Sequence, residues 1–582
     1  MTRTNTRALR ALLVLSSLVA ACGAEDDTTN RSSDLTGAVV RPGAQPGAAG
    51  ASLPSSDGHG DGATPAPSGD GSVVAPSPYK SCPAGRWCSA LYPPSWSASA
   101  PPDSEGRGLH DFSFAGYRYG ERPPASPPGA IHDVVAGYGA DPTGGADATS
   151  SVQAAIAAAS AAGGGVVFFP QGSYRVGGSL TVTTSGVVLR GTGTSSVLRF
   201  TQSGMGGSAG ITFAGSVRRD AARALAADGR ARANEVLLTD AAGLAPGDDV
   251  AIGWTITPSF VAEHGMTGTW TAFNGSYQPF FRSKVVSVDT TSSPHRVIVD
   301  VPLRYPARMR DGAALQKETG YVREVGVEHL GVTTAVTWAQ AWAENQAHAI
   351  MLRDVADAWV SDVHSVAPAG ASPSDFHLRS SGIYMETAKR VSVLGSSMEN
   401  AQNRGAGGNG YLFEVSQTSE VLFADCTGRN GRHNFTQNWG FGNTGTVLLR
   451  FTSSGSAEMT SSGAVPTPSR AEHHHSLAMA TLVDDSRFDD GFAMVNRGSM
   501  SSGAGHTATE SAVWGASGSG KIVSQQFGWG YVIGPHSGLA VDTSVGSSGT
   551  APQDFVEGLG QGETLYPTSL YEDQRARRLG KP

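Results

Sequence analysis

Side chains able to move a proton or hold an anion thicken between Lys389 and His506. Arg432-His433-Asn434 sets a guanidinium beside an imidazole. The first can neutralise a carboxylate, and the second can take or give a proton. Glu472-His473-His474-His475-Ser476 follows. Side chains alternate along a strand, so His473 and His475 would share one face and His474 the other. Two histidines at that spacing plus Glu472 could hold a metal, but a polar or catalytic role for one or two of them is the favoured reading. Asp489-Asp490-Gly491, Asn496-Arg497-Gly498 and Gly505-His506-Thr507 complete the set. Paired carboxylates can supply the acid and the water-activating base of a glycoside hydrolysis, and Asp-Asp-Gly is equally the composition of a plain turn. The catalytic candidates are therefore Arg432, His433, His474, Arg497 and His506. Lys389, Glu472, His473, His475 and Asp490 are candidate substrate contacts. Asn400, Asn403 and Asp425 are candidates for holding calcium; no other cofactor is expected.

These candidates are far apart in sequence, so only a chain that keeps returning to the same face can gather them. Short apolar strands recur at Trp359-Val360, Val391-Ser392-Val393, Val421-Leu422-Phe423 and Val447-Leu448-Leu449, with offsets 391 − 359 = 32, 421 − 391 = 30 and 447 − 421 = 26. A coil plus a variable loop fits those steps, and each coil buries its inward side chains by stacking on its neighbours. A doubly wound α/β fold would need helical runs between the strands, and these are missing. An antiparallel sandwich is the remaining alternative. Between 216 and 317 the pattern changes to antiparallel hairpins: Glu235-Val-Leu-Leu, Asp249-Val-Ala-Ile-Gly, Lys284-Val-Val-Ser-Val and Arg296-Val-Ile-Val-Asp-Val. That stretch reads as an inserted β subdomain. Its aromatics, Trp270 and Tyr277 among them, could stack on sugar rings or form the subdomain's own core.

Residues 134–176 carry the most specific pattern: a Gly/Asp-rich loop, an Ala-rich helix with Val152, Ile156 and Ala159 on one face, Gly163 to Gly165, a strand from Val166 to Phe169, and a second strand from Tyr174. This order resembles the opening of the pectate lyase superfamily, whose members are right-handed parallel β-helices. The resemblance implies an all-β fold in which the helix covers the open first coil, an edge that would otherwise invite aggregation. Arg432-His433 is similar to the pair that alginate and chondroitin lyases of this fold use. There a cation neutralises the uronate carboxylate, a base takes the neighbouring proton and an acid protonates the departing oxygen. Polygalacturonases of the fold carry an Asp-Asp pair and a Gly-His-Gly. Here Thr507 replaces the last glycine, and their Asn-x-Asp and Arg-Ile-Lys elements are not evident. The Asp-Pro-His of mannuronan epimerases is absent. The resemblance thus implies a polysaccharide lyase acting on a uronate-containing glycan by β-elimination. A hydrolase using Asp489 or Asp490 comes second, and a glycan-binding protein without chemistry third.

The N-terminus carries Arg3, Arg7 and Arg10, then the apolar run Ala11 to Ala21, and Val19-Ala20-Ala21-Cys22 resembles a bacterial lipoprotein processing site. A signal peptide over 1–21 and a lipid on Cys22 are expected, which would anchor the protein at a membrane, in the periplasm or at the cell surface. Residues 22–80 are poor in large apolar side chains and read as a flexible tether. Cys82 and Cys88 are expected to form a local disulfide, and Cys426 to be buried. Residues 81–130 are expected to pack on the first coil, 131–558 to form the β-helix, and 559–582 to cap its last coil. The formal charge of −8 becomes −8 − 3 = −11 without residues 1–21, which argues against nucleic acid as a partner. An acidic glycan would have to meet a local basic patch, in which arginine's planar fork suits a carboxylate. The chain is expected to act as a monomer.

Overall fold

The computed structural model describes residues 81–464, 467–545 and 552–580. The expected signal peptide, Cys22 and the tether lie outside the described residues. The protein is all-β, a right-handed parallel β-helix with an inserted antiparallel subdomain. Inside, apolar side chains stack coil on coil. One sheet stacks Val327, Val360, Val393, Phe423, Leu448, Val483, Val513 and Val532 in one continuous register. A second, ten-stranded sheet stacks Ile211, Ile350, Ile383 and Phe413 in the same way. No coil could bury these side chains alone, which makes the solenoid cooperative. A third face is built from the short strands Ser397–Glu399, Thr427–Arg429, Thr452–Ser454 and Arg487–Phe488. At the corner leading to it, Asp362, Asp425, Arg450 and Asp485 all take left-handed φ values of 47–57°. Asp and Asn tolerate that conformation best among non-glycine residues. Polar residues therefore recur at this corner for backbone reasons.

The helix Thr149–Ala161 buries Val152, Ala155, Ile156 and Ala159 against the first coil. The insert leaves and returns at one point, where the Ser216 amide donates to the Gly320 carbonyl at 2.8 Å. Its seven-stranded antiparallel sheet runs from Arg218–Arg219 to Ala314–Thr319. Trp254 stacks on Phe280 at 3.7 Å between ring centres, and the core extends onto Phe441, Leu477 and Met479 of the coils. Trp270 is fully buried in this core and donates to the Ala504 carbonyl, while the Tyr277 hydroxyl donates to the Ala314 carbonyl. Trp270 thus fastens the insert to the coils, and half-buried Tyr277 is tied to another strand of the insert.

Beneath the insert, Lys389 is buried, 2.8 Å from Asp249 and 3.1 Å from the Ser283 carbonyl. Arg390 beside it makes a two-pronged pair with Asp357 at 2.7 and 3.0 Å. Removing one partner from such a set would leave a buried charge uncompensated. Lys389 is therefore a seam residue between insert and coils, away from any substrate surface.

Cys82 and Cys88 are disulfide-bonded, and Cys426 is buried. The N-terminal segment does not stop at the first coil. Tyr92, Trp96, Leu109 and Phe112 lie across Leu422, Val447, Leu482, Ala512 and Tyr531 on the outside of the first sheet. The C-terminal helix Leu570–Arg578 joins them there, its first turn held by Asp484, which accepts from the Ser569 hydroxyl and the Leu570 and Tyr571 amides. The tail is thus a lateral clamp and not an end cap, because this outer face is apolar and needs cover.

Candidate functional site

The outside of the ten-stranded sheet has the opposite character. Tyr384, Glu414, Thr436, Glu472 and Ala493 follow one another outward across five strands. On the strand Ala471–His473, the two-residue period sends Ala471 and His473 inward and Glu472 outward. Arg470 and His474 flank that strand on the Glu472 side. The His473 ring packs against Phe435 and Phe492 in the interior. His475 lies beyond the strand end. It turns against Trp439, 4.4 Å between ring centres, and its Nε2 meets the Ser501 carbonyl at 3.0 Å. The pair expected to share a face, His473 and His475, is split, and neither joins Glu472.

Glu472 instead meets His474 and His433. His474 Nδ1 lies 2.5 Å from Glu472 Oε1. His474 Nε2 faces two hydroxyls, Tyr411 and Ser501, each at 3.4 Å. His433 Nδ1 lies 2.7 Å from the Arg470 carbonyl, and its Nε2 is 3.6 Å from Glu472 Oε1. Arg497 Nη1 donates to the His474 carbonyl at 2.6 Å and stands 3.6 Å from Glu472 Oε1. Arg432 is fully buried one layer behind, with Nη2 3.4 Å from Glu458 and its guanidinium 6.0 Å from the Tyr411 ring centre.

A cleft of about 100 Å³ opens onto His433, Arg470, Glu472 and Arg497, with Glu458 on one wall and Met500 on the other. The walls are loops from opposite ends of the strands. The hairpin of Ala457–Glu458 with Thr467–Pro468 brings Glu458 and Arg470. The loop from Asn496 to His506, pinched at its base where those two residues pair, brings Arg497 and Met500. That pinch also sends His506 the other way. Its Nε2 meets the His264 carbonyl at 3.1 Å, and its ring packs on Phe527 in the seam with the insert. His506 is therefore not part of the cleft.

Burial opposes the charge on Glu472, but His433, the Arg497 guanidinium and the His474 N–H hold its carboxyl well below the usual carboxylate range. Burial pushes the His433 imidazole down to about 3, against the pull of Glu472. Near neutral pH His433 is thus an uncharged ring, and Arg497 is the lasting cation beside Glu472. Arg470 is half-buried in the cleft, and its guanidinium makes no ion pair or hydrogen bond with any described residue.

The remaining candidates are occupied elsewhere. Asp490 accepts from Asn434 at 2.9 Å and from the Ser456 amide at 3.0 Å, while Asp489 pairs with Arg487 and accepts from Ser519. They serve two different turns and do not converge as an acid and a base. Asn400 accepts from Asn430, Asn403 donates to the Ala341 carbonyl, and Asp425 pairs with Arg450. The three form no common cation site. Sequence reasoning missed Arg470, Tyr411, Ser501 and Glu414. The alternation that assigned the histidines would have found Arg470, two residues before Glu472.

Residues 134–228 match a family model described as rhamnogalacturonase A/epimerase, pectate lyase-like. No curated protein matches the chain. Among solved structures, the tailspike protein gp49 from Pseudomonas phage LKA1 is 14% identical with a TM-score of 0.44, over 71% of this chain and 63% of that one. The chain therefore spans less than two thirds of that tailspike. The catalytic unit of the thermostable GH87 alpha-1,3-glucanase from Streptomyces thermodiastaticus strain HF3-3 is 13% identical with a TM-score of 0.29, over 75% and 69%. The A-module of the mannuronan C-5 epimerase AlgE4 from Azotobacter vinelandii is 12% identical with a TM-score of 0.25, over 74% and 100%.

Proposed function

We propose that this chain, a pectate lyase-like parallel β-helix protein, is a polysaccharide lyase that cleaves a uronate-containing glycan by β-elimination in the cleft between His433 and Arg497. The observation that carries the reading is Arg470. A guanidinium with no partner among the described residues lines the same small cleft as an uncharged, oriented imidazole. Arg470 and Arg497 bind the substrate carboxylate and offset the charge that builds on it as the adjacent carbon loses its proton. His433 Nε2 takes that proton. Glu472 Oε1, 3.6 Å away, then accepts the new N–H and stabilises the imidazolium. As the carbon–carbon double bond forms, the bond to the departing sugar oxygen breaks, and the His433 imidazolium returns its proton to that oxygen. His474 donates from Nδ1 to Glu472 and so holds that carboxylate in place beside His433.

One observation favours a second reading. Burial pushes Glu414 up to about 7 while Glu472 is held ionised. The two are two strand spacings apart in register, roughly 10 Å. Carboxyls with separated pKa values at such a distance suit the acid and base of an inverting hydrolase.

The products separate the two readings. We expect purified protein to release ultraviolet-absorbing unsaturated uronate from at least one acidic polysaccharide. Arg470→Ala should lower kcat/KM there about 10- to 100-fold, the worth of a hydrogen bond to a charged group. New reducing ends without that absorbance, lost in Glu414→Gln, would replace the lyase with the hydrolase.

A further inference from the structure

We propose that His433, Glu472 and His474 form a binding site for a zinc-like divalent transition-metal cation, and that a bound cation silences the cleft. The second half rests on the lyase reading; the first does not. One nitrogen or oxygen from each residue can be chosen so that all three lie within 4.8 Å of one another, and all three residues are buried.

The case begins with a mismatch in hydrogen bonding. The Arg470 carbonyl, 2.7 Å from His433 Nδ1, requires the ring proton on that nitrogen. His433 Nε2 is then a bare lone pair. It is 3.6 Å from Glu472 Oε1 and has no hydrogen-bond partner, although the side chain is only 4% exposed. Two acceptors face each other in a buried place with no donor between them, and a cation is what would reconcile them. Holding one imidazole nitrogen on a backbone carbonyl is also how metal-binding histidines are aimed.

His474 can complete the set. A proton now sits between its Nδ1 and Glu472. The hydroxyls of Tyr411 and Ser501 at Nε2 can accept as well as donate. The ring can therefore carry its proton on Nε2 and release Nδ1 to a cation, with no net change in charge. Two imidazole nitrogens and one carboxylate, with the cleft as the fourth direction, make an open tetrahedral set suited to zinc. Imidazole donors favour zinc, copper or nickel over calcium and magnesium. Arg497, 3.6 Å from the same carboxylate oxygen, opposes the added charge and limits affinity. A cation on His433 Nε2 would occupy the lone pair that takes the substrate proton, so turnover would stop.

The test uses tag-free full chain stripped with a chelator and titrated with cobalt(II). We expect visible absorption of tetrahedral cobalt, displaced by zinc but not by calcium. The affinity should fall at least about tenfold in both His433→Ala and His433→Gln, each checked for folding by circular dichroism. Absence of that spectrum, displacement by calcium, or unchanged affinity in the folded variants would overturn the site. Zinc should also suppress turnover reversibly. Full activity in cobalt- or zinc-loaded protein would overturn the silencing while leaving the site. If no glycan is cleaved at all, the spectrum still decides the site, and only the lyase reading falls.

Discussion

The two long sheets present the same material to the interior and opposite material to the outside. Inward, both stack Val, Ile, Leu and Phe in unbroken columns. Outward, the first sheet carries Leu422, Val447, Leu482, Ala512 and Tyr531, one above the other. The chain's own ends cover that face with Tyr92, Phe112, Leu570 and Tyr571. The second sheet carries Tyr384, Glu414, Thr436 and Glu472 outward, and loops enclose them without hiding them all. The interior columns make the solenoid, so they say nothing about what it does. The outer faces are free to differ. An apolar one becomes a seat for the termini and adds stability. A polar one gathers buried charges and bare nitrogens that cost stability, which is where chemistry is expected.

Paired substitutions on the two faces would break this contrast most directly. His433→Ala should lower turnover about a thousandfold, in the range of a lost general base, and leave the thermal midpoint near wild type. Leu482→Ala, under the clamp, should do the reverse. It should cost about 2–5 kcal/mol of stability in denaturant titrations and leave the rate per folded molecule unchanged. If His433→Ala unfolded the protein, or Leu482→Ala removed activity without unfolding, the division of labour between faces would be wrong.

The fold was legible because its signals are local and repeated. The helix and strands of 134–176 appear where the pattern put them, and the coils recur as the apolar strands suggested, although the paired register runs through Trp359, Ser392, Leu422 and Val447, one residue away from Val391 and Val421. The insert at 216–317 announced itself by a change of pattern. The candidate site was legible only in part. His433 and Glu472 come to one cleft because successive coils set them side by side, while Arg432 lies one layer behind. Lys389, His506, Trp270 and Tyr277 looked alike in sequence but are claimed by the seam with the insert or by its core. Whether a polar side chain faces a groove or a packed partner is a long-range property. Lys389 pairs with Asp249, and His506 meets the His264 carbonyl. Neither partner can be found by counting along the chain. Arg470 is the opposite case: it lies two residues before Glu472, on the same face of the strand, so alternation alone places it.

The smallest test is within a single strand, at the residue next to Glu472. His473 faces the interior, where neither ring nitrogen has a hydrogen-bond partner; the Thr507 backbone approaches without forming one. Burial pushes its imidazole down to about 3, whereas an unfolded histidine titrates near 6.5. The folded chain therefore binds fewer protons than the unfolded chain between those values. The stability tied to this neutral ring is complete above the unfolded value and is lost as pH falls toward the folded one, at about 1.4 kcal/mol per pH unit. His473→Leu removes both the unpaired nitrogens and this titration. At pH 7 it should be about 1 kcal/mol more stable than wild type, and its advantage should widen as pH drops from 6.5 to 4.5, measured by urea unfolding at each pH. Turnover should survive, because the ring points away from the cleft. A variant with the wild-type acid profile would mean that the imidazole is already paired in solution. The interior of the second sheet would then be less distinct from its outer face than the register of Glu472 and His473 implies.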